Sequence, residues 1–512
     1  MKLKKLEQEL EKLYEEVVEA EATADALAAR VHKKYRLSAR NLLHYLLLRQ
    51  HDLRKIHDKL SDQGISSLRS SEGYVFDNLS KALRLVKLLQ GKEWKEKSEV
   101  DRVTYSKSRK LLIKHANHLF GTNNKAHHTH IMVTMPDEAA YDLNFLRSLV
   151  IEGMEIARIN LSHGDREQWE KMVANIRQVS EEIESPVQIY MDLAGPKIRT
   201  SQIAISRKKS RQIQVRDFIK VRPGEHIWLT KGDSKGEQFT YLEGRKITTL
   251  PEVGVSLPQI IDGLHVGDEV FFDDGKIEAR VISKEEERVE LLILKAHKSK
   301  LASFKGINLP HSSLDLPSLT SQDLDNLPFV VEHADILGYS FVRNAGDVSL
   351  LYEELDRLGA DDVGVVFKIE NREAFENLPL ILLKAMERNA IGIMIARGDL
   401  AVEIGYERIS EVQNEILWLS EAAHIPVIWA TQVLENLAKK GLATRAEVSD
   451  AAVSVQAECV MLNKGPYIVD AVRTLKNILV KMYSHTSKKK SMMRPLKVAE
   501  TNVKKIKTGK ES

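Results

Sequence analysis

From about His130 onward, short apolar runs alternate with amphipathic stretches, and this alternation restricts the fold more than any other feature of the chain. Ile131–Thr134, Ile156–Asn160 and Val187–Asp192 come first, and Ile336–Phe341, Val363–Ile369, Gly392–Ile395, Val427–Ala430 and Cys459–Leu462 follow after a long gap. Helix-period stretches fit between them, among them Tyr141–Ile151, Glu167–Ile183, Ala345–Leu358, Ile409–Ala423 and Tyr467–His485. Strands that alternate with helices pair in parallel. The gap, about residues 201–303, has a different texture: short strands (Ile213–Val215, His226–Leu229, Glu269–Phe272, Ile277–Val281, Val289–Leu294) separated by Gly- and charge-rich turns. Without it, roughly 75 plus 180 residues remain, near the ~250 typical of an eightfold barrel. The spacing therefore predicts an α/β fold: a (β/α)8 TIM barrel with an inserted small β-barrel lid.

An all-α region precedes the barrel. Leu3, Leu6, Leu10, Leu13, Val17, Ala20, Ala24, Leu27 and Val31 keep a 3-4 spacing flanked by Glu and Lys, the pattern of a coiled-coil or bundle seam. Further helices are expected from an N-cap at Ser38 to Leu60, from Ser71 to Leu89 and from Ser106 to Leu119. A lone helix cannot bury such a seam. We expect either a homo-oligomer through the N-terminal helices or a fold-back onto Leu42–Leu60. His127, His128 and His130 lack a Cys or carboxylate at ligand spacing and read as a polar linker. The domain reading is 1–122 helical region, 123–200 first part of the barrel, 201–303 lid, 304–485 second part of the barrel and 486–512 a basic flexible tail.

Composition matters mainly for what it excludes. No apolar run approaches the ~18 residues that span a bilayer, and the charged start Met1–Glu7 has no signal-peptide core. The single cysteine, Cys459, fits a reducing compartment. We expect a cytoplasmic protein with no membrane or nucleic-acid partner, since the net charge is only +3 and the excess sits mostly in the tail.

Barrel chemistry belongs at the C-terminal ends of the strands, and the residues there form a pattern. The second strand ends in Arg158-Ile159-Asn160-Leu161-Ser162-His163-Gly164, and the third in Asp192 with Gly195-Pro196-Lys197-Ile198-Arg199. The fourth ends in Ser340-Phe341-Val342-Arg343, the fifth in Lys368-Ile369-Glu370-Asn371, the sixth in Ala396-Arg397-Gly398-Asp399 and the seventh in Ala430-Thr431-Gln432. Glu370 and Asp399 are two carboxylates suited to a Mg²⁺ that keeps waters and takes further ligands from substrate. Arg158, Arg199, Lys305 and Lys368 suit an anionic, phosphate-bearing substrate. Backbone N–H groups at Gly398 and Asp399, with the Thr431 hydroxyl, suit a carboxylate. Together they describe phosphoryl transfer involving a small keto or enol acid.

The runs Ala157–Gly164, Asp192–Arg199, Lys305–Pro310, Lys368–Asn371, Ala396–Leu400, Ala430–Glu435 and Thr444–Asp450 resemble, in order, the signatures of the pyruvate kinase family over about residues 129–483. Phe272-Asp273-Asp274-Gly275 resembles its lid-domain turn. The resemblance implies transfer of phosphate from phosphoenolpyruvate to ADP, giving pyruvate and ATP. It implies that Lys368 stabilises the transferring phosphoryl group and the enolate, and that Glu370 and Asp399 hold Mg²⁺ (or Mn²⁺). It further implies that Gly398, Asp399 and Thr431 bind the substrate carboxylate, that Arg158 binds its phosphate, and that Asn160, His163, Arg199 and Lys305 contact the nucleotide. Lys197 resembles the lysine of the K⁺-independent branch, where it replaces a glutamate. A K⁺ bound among Asn160, Ser162 and Asp192 would then face its ammonium.

The family pattern is not kept throughout. The usual Thr-Ile-Gly-Pro-Ala-Ser of the first strand is Thr134-Met135-Pro136-Asp137-Glu138-Ala139, and Ser-Gly-Glu-Thr after the eighth is Asn463-Lys464-Gly465. The second change removes a hydroxyl and a carboxylate attributed to proton relay. No counterpart of the family's C-terminal regulatory domain is expected, nor the sugar-phosphate activation it carries. The alternative reading is a catalytically reduced relative that binds phosphoenolpyruvate or nucleotide in a regulatory role, and a third is another reaction of pyruvate and Mg²⁺ on the same barrel.

Overall fold

The computed structural model of the protein describes residues 2–66, 68–95, 102–122, 129–203, 205–209, 212–232, 234, 239–242, 245–248, 250–312, 316–483 and 495–509. Eight parallel strands close into a barrel: β1 (His130–Thr134), β2 (Ile156–Asn160), β3 (Gln188–Asp192), β4 (Ile336–Tyr339), β5 (Gly364–Ile369), β6 (Ile391–Ala396), β7 (Val427–Ala430) and β8 (Cys459–Leu462). The ring closes where His130 of β1 pairs with Cys459 of β8. Nearly every strand residue is buried, because the barrel interior takes one face and the outer helices the other; this is why the strands read as continuous apolar runs. The fold class is the one the alternation predicts.

The insertion leaves after β3 and returns before β4. Its main sheet has six strands, in the order Glu252–Gly254, His226–Thr230, Arg288–Ala296, Ile277–Lys284, Glu269–Phe272 and Ile307–Asn308. Its apolar core, including Ile227, Leu229, Val270, Phe272 and Leu291, is separate from that of the barrel. Entry and exit strands pair at the hinge: Thr200 N–H donates to Lys305 C=O at 2.8 Å, and Ile307 N–H to Ile198 C=O at 2.9 Å.

The N-terminal region contains α1 (Lys2–Glu19), α2 (Glu21–Arg30), α3 (Arg36–Leu48), α4 (Arg54–Asp62), α5 (Val75–Leu88) and α6 (Tyr105–Phe120). The long first helix read from the heptad is broken at Ala20. Its seam does not stay open for a second chain: Leu6, Leu10, Leu13, Tyr14 and Val17 are all buried, and α1 packs on α3, α4 and α5. The fold-back alternative therefore describes this region, and the seam offers no surface for self-assembly. Ser38 is not an N-cap. It lies inside α3, fully buried, with its hydroxyl 3.0 Å from Nδ1 of His424. The expected helix to Leu60 divides between α3 and α4, and the one from Ser71 begins as a short 3-10 turn before α5.

This region is welded to the barrel by buried polar contacts. Asn41 Nδ2 donates to Glu72 C=O at 2.7 Å and to Ala422 C=O at 2.8 Å, while its Oδ1 accepts from Val75 N–H at 2.9 Å. All three bonds are buried; two tie α3 to the start of α5, and the one to Ala422 crosses to the barrel and helps to fix the docking register. α6 goes further and closes the lower mouth of the barrel. Leu119 and Phe120 join a core with Met132, Ile156, Ile336, Val366, Met394, Ile428 and Cys459. A Cβ at Gly364 or Gly392 would lie 2.6 Å from a Leu119 methyl, so any larger residue at either strand start would push the plug out of its present position.

The stretch expected to be a basic flexible tail contains a helix, Lys497–Thr508, with Val498, Ala499, Val503 and Ile506 buried. It packs on α3 and on the barrel helix Leu378–Ala385, and Lys505 Nζ donates to Asn377 Oδ1 at 2.7 Å. His127 and His128 lie outside the described residues, and His130 is buried in β1. Among the described residues, no group of three or more His, Cys, Asp or Glu could hold a metal by itself, and no helix is long and apolar enough to cross a membrane.

Candidate active site

A strand that alternates its side chains sends Lys368 and Glu370 from the end of β5 to the same side. There they meet Asp192 from β3 and Arg158 from β2. Arg158 donates from Nε to Asp192 Oδ2 at 2.6 Å and from Nη1 to Thr134 Oγ1 at 2.9 Å. Lys368 Nζ lies 3.2 Å from Glu370 Oε1, 3.5 Å from Asp192 Oδ2 and 2.8 Å from Ser340 Oγ. All four charged groups are buried. Burial works against the Lys368 charge, but Asp192 and Glu370 outweigh it and hold its pKa above the ordinary lysine value. Arg158 is raised in the same way, burial being overcome by Asp192. Burial opposes the Asp192 charge as well, yet Arg158 and Lys368 bring its pKa down. These groups form a charged unit in which removing one member leaves another uncompensated.

Glu370 differs. Burial and the nearby Asp399 raise its carboxyl above the ordinary range despite Lys368. A second carboxylate so close to a buried one makes the pair attractive to a cation. Phe341 fixes the orientation of Glu370: its backbone is left-handed (φ 58°), which turns its N–H onto Glu370 Oε2 at 2.7 Å. Asn371 accepts from Ala374 N–H and so caps the helix that leads away from β5, a structural reason for the Asn in Lys368–Asn371.

The ends of β6 and β7 are held by Arg397. It donates to Ala430 C=O at 3.0 Å and Thr431 C=O at 2.6 Å, pairs with both oxygens of Asp450, and lies over the Trp429 ring. This explains why Asp450 belongs to the run Thr444–Asp450. Thr431, Gln432 and Leu434 all have positive φ, the kind of local strain that gathers at functional sites. The Thr431 hydroxyl accepts from Gly398 N–H at 2.9 Å. Gly398, Asp399 and Thr431 are thus brought together as the sequence predicts.

Other expected residues fall into separate places. Arg158, Asn160 and His163 line a cleft of about 280 Å³ together with Thr134, Asp137 and Lys464. Burial, with Lys464 and Arg199 nearby, lowers the His163 pKa. Lys197, Glu370 and Asp399 line a second cleft of about 380 Å³ under the lid, with Phe341, Arg372 and Glu403. Arg199 and Lys305 sit on the hinge strands; Arg199 Nη1 donates to Phe304 C=O at 3.3 Å, and no described side-chain bond ties Lys305 to the central cluster.

Lys197 departs from its expected place. It does not face Asn160, Ser162 and Asp192, because its Nζ pairs with both oxygens of Asp399, at 2.8 and 2.9 Å. The cations on Asp192 are Arg158 and Lys368 instead. One residue escaped the sequence reading altogether. Glu403 lies four positions after Asp399 on the helix Arg397–Ile404, hence on the same face one turn along. It accepts from Asn308 Nδ2 at 3.1 Å, and burial together with Asp399 pushes its pKa up to about 7. The i, i+4 spacing was the signal that could have found it.

A family model described as the pyruvate kinase barrel domain matches residues 126–472. Pyruvate kinase from Staphylococcus saprophyticus is 32% identical over 365 residues, which cover 70% of this chain and 58% of that protein. Pyruvate kinase from Thermococcus litoralis is 32% identical over 69% of each chain, and pyruvate kinase 1 from Trypanosoma brucei brucei 32% identical over 67% of this chain and 64% of its own. This chain therefore spans well under two thirds of the Staphylococcus protein. The family match runs from just before β1 to the helix after β8, the same span that carries the buried Arg158–Asp192–Lys368–Glu370 unit, so the chain belongs to the pyruvate kinase family.

Proposed function

We propose that the chain transfers a phosphoryl group from phosphoenolpyruvate to ADP, giving pyruvate and ATP, with Mg²⁺ or Mn²⁺ and without a need for K⁺. The observation that carries this reading is Lys368: a buried, fully charged ammonium between Asp192 and Glu370, beside a buried Arg158. Preorganised charge of this kind, aimed at a group whose own charge shifts during reaction, is usually the largest single catalytic contribution. Arg158 would bind the substrate phosphate and Lys368 would hold the moving phosphoryl oxygens and the enolate left behind. Gly398, Asp399 and Thr431 would orient the carboxylate of the three-carbon acid. Asn160 and His163, with Arg199 and Lys305 on the hinge, would receive the nucleotide.

The donor set fits a divalent ion. Glu370 and Asp399 are two hard carboxylates on neighbouring strand ends, and a cationic group, the Lys197 ammonium, already rests on one of them. Water and substrate oxygens would supply the remaining ligands, as Mg²⁺ sites commonly require. The ion would supply charge neutralisation at the phosphoryl and enolate oxygens. Independence from K⁺ is supported by Asp192, the carboxylate a monovalent ion would need, which already has Arg158 and Lys368 upon it. The single buried cysteine supports a cytoplasmic site of action.

One observation favours the second reading, a relative that binds these ligands but turns over poorly. The two stretches that depart from the family pattern meet: Lys464 Nζ lies 3.8 Å from Asp137 Oδ1 at the rim of the cleft that holds Arg158 and His163. A lysine thus stands near where the relay hydroxyl and carboxylate would be. A coupled assay with phosphoenolpyruvate, ADP and Mg²⁺ separates the two readings. The first predicts continuous pyruvate formation that Asp399→Asn abolishes. Saturable phosphoenolpyruvate binding without pyruvate formation would favour the second.

A further inference from the structure

We propose that Lys197 is an internal competitor for the divalent-cation site, so that its ammonium sets how tightly the protein holds the ion. The inference rests on reading Glu370 and Asp399 as the divalent ligands. Lys197 leaves the loop after β3 and reaches across the cleft under the lid to the opposite strand end. Its Nζ lies 2.8 and 2.9 Å from the two oxygens of Asp399, a two-oxygen contact that engages the whole carboxylate. It also lies 5.8 Å from the centre of the Phe341 ring, and Phe341 is the residue whose N–H orients Glu370 at 2.7 Å. The side chain is only 22% exposed, so water screens this contact far less than it would a surface pair.

A divalent ion needs the same oxygens. Mg²⁺ binds carboxylate oxygen at about 2.0–2.1 Å, and an ammonium 2.8 and 2.9 Å from the two Asp399 oxygens cannot stay there beside it without strong repulsion between the two cations. Binding of the ion therefore requires Lys197 to withdraw from Asp399, and each cation weakens the other by the same factor. Lys197 thus makes occupation by the ion conditional. An anionic substrate that gives the displaced ammonium a new partner would relieve the competition, so ion and substrate should bind with positive cooperativity.

The test is direct binding of Mn²⁺, followed by electron paramagnetic resonance of the free ion, with the full chain and no nucleotide. Lys197→Met should bind Mn²⁺ more tightly than wild type, on the order of tenfold for removal of one competing charge at this range. Lys197→Arg keeps the charge and should bind like wild type. Phosphoenolpyruvate should tighten Mn²⁺ binding in wild type and much less in Lys197→Met. Melting curves of each variant establish that it is folded. Equal or weaker Mn²⁺ binding by Lys197→Met, with wild-type binding intact and lost in Asp399→Asn, overturns the competition alone. Absence of Mn²⁺ binding in both wild type and Lys197→Met overturns the assignment of the carboxylates as well.

Discussion

At the C-terminal ends of the strands the barrel buries Arg158, Asp192, Lys368 and Glu370; at the N-terminal ends it buries Leu119 and Phe120 of α6 against Met132, Ile156, Ile336 and Val366. The upper end also carries backbone strain, at Phe341, Thr431, Gln432 and Leu434. Desolvating charges and holding strained turns is unfavourable for folding, and buried ion pairs are poor sources of stability. The apolar lower end supplies what the upper end does not. The N-terminal helices thus serve the barrel as part of its core. Activity and stability should accordingly be separable by position.

The most drastic way to break this division is to start the chain at Thr129. That removes Leu119 and Phe120 and opens the lower core to water, so cooperative melting should be lost. A truncated chain that melts like the full one would refute the plug. Next in size, Lys368→Met should lower turnover by about 10²–10³ or more in protein that still melts cooperatively; near-normal turnover would remove Lys368 from its role. Leu119→Ala should do the reverse. A large-to-small change in a packed core costs about 2–5 kcal/mol, read by urea unfolding, while turnover per folded molecule stays within about twofold.

Glu403 sharpens the comparison, as a carboxyl at the upper end whose pKa is pushed up to about 7 from an ordinary 4.5, by burial and Asp399. Between those values the folded chain keeps a proton that the unfolded chain has released. Stability should therefore fall as pH rises from about 4.5 to 7, by up to about 3 kcal/mol at ~1.4 kcal/mol per pH unit. Unfolding in chelator at pH 5 and pH 8 should show a clearly shallower slope in Glu403→Gln than in wild type, with the raised Glu370 supplying part of what remains. An identical slope in both would assign the proton elsewhere.

The upper end was far more legible in sequence than the lower. Lys368, Glu370, Asp399 and Thr431 stand just past apolar strands, where a barrel exposes its chemistry, so position and residue type pointed the same way. Glu403 was hidden because it follows Asp399 by a helical turn rather than ending a strand. Lys197 was placed wrongly because its loop turns toward β6, and a four-carbon stem lets its charge choose among several carboxylates. At the lower end, periodicity revealed helices but not their partners. The α1 seam looks the same whether it meets a second chain or α5, and Ser38 looks like a cap until His424 arrives from nearly four hundred residues away. The helix Lys497–Thr508 reads as tail in sequence because its four lysines match in number the four apolar residues that bury it.

The central claim is that the charged end of this barrel moves phosphate from phosphoenolpyruvate to ADP without K⁺. It is tested most directly by phosphorus NMR of the full chain with phosphoenolpyruvate, ADP and Mg²⁺, in potassium and in tetramethylammonium buffers of equal ionic strength. The account predicts ATP signals that grow at the same rate in both buffers. No ATP from wild-type protein that binds phosphoenolpyruvate, or strong stimulation of wild type by potassium, would contradict it.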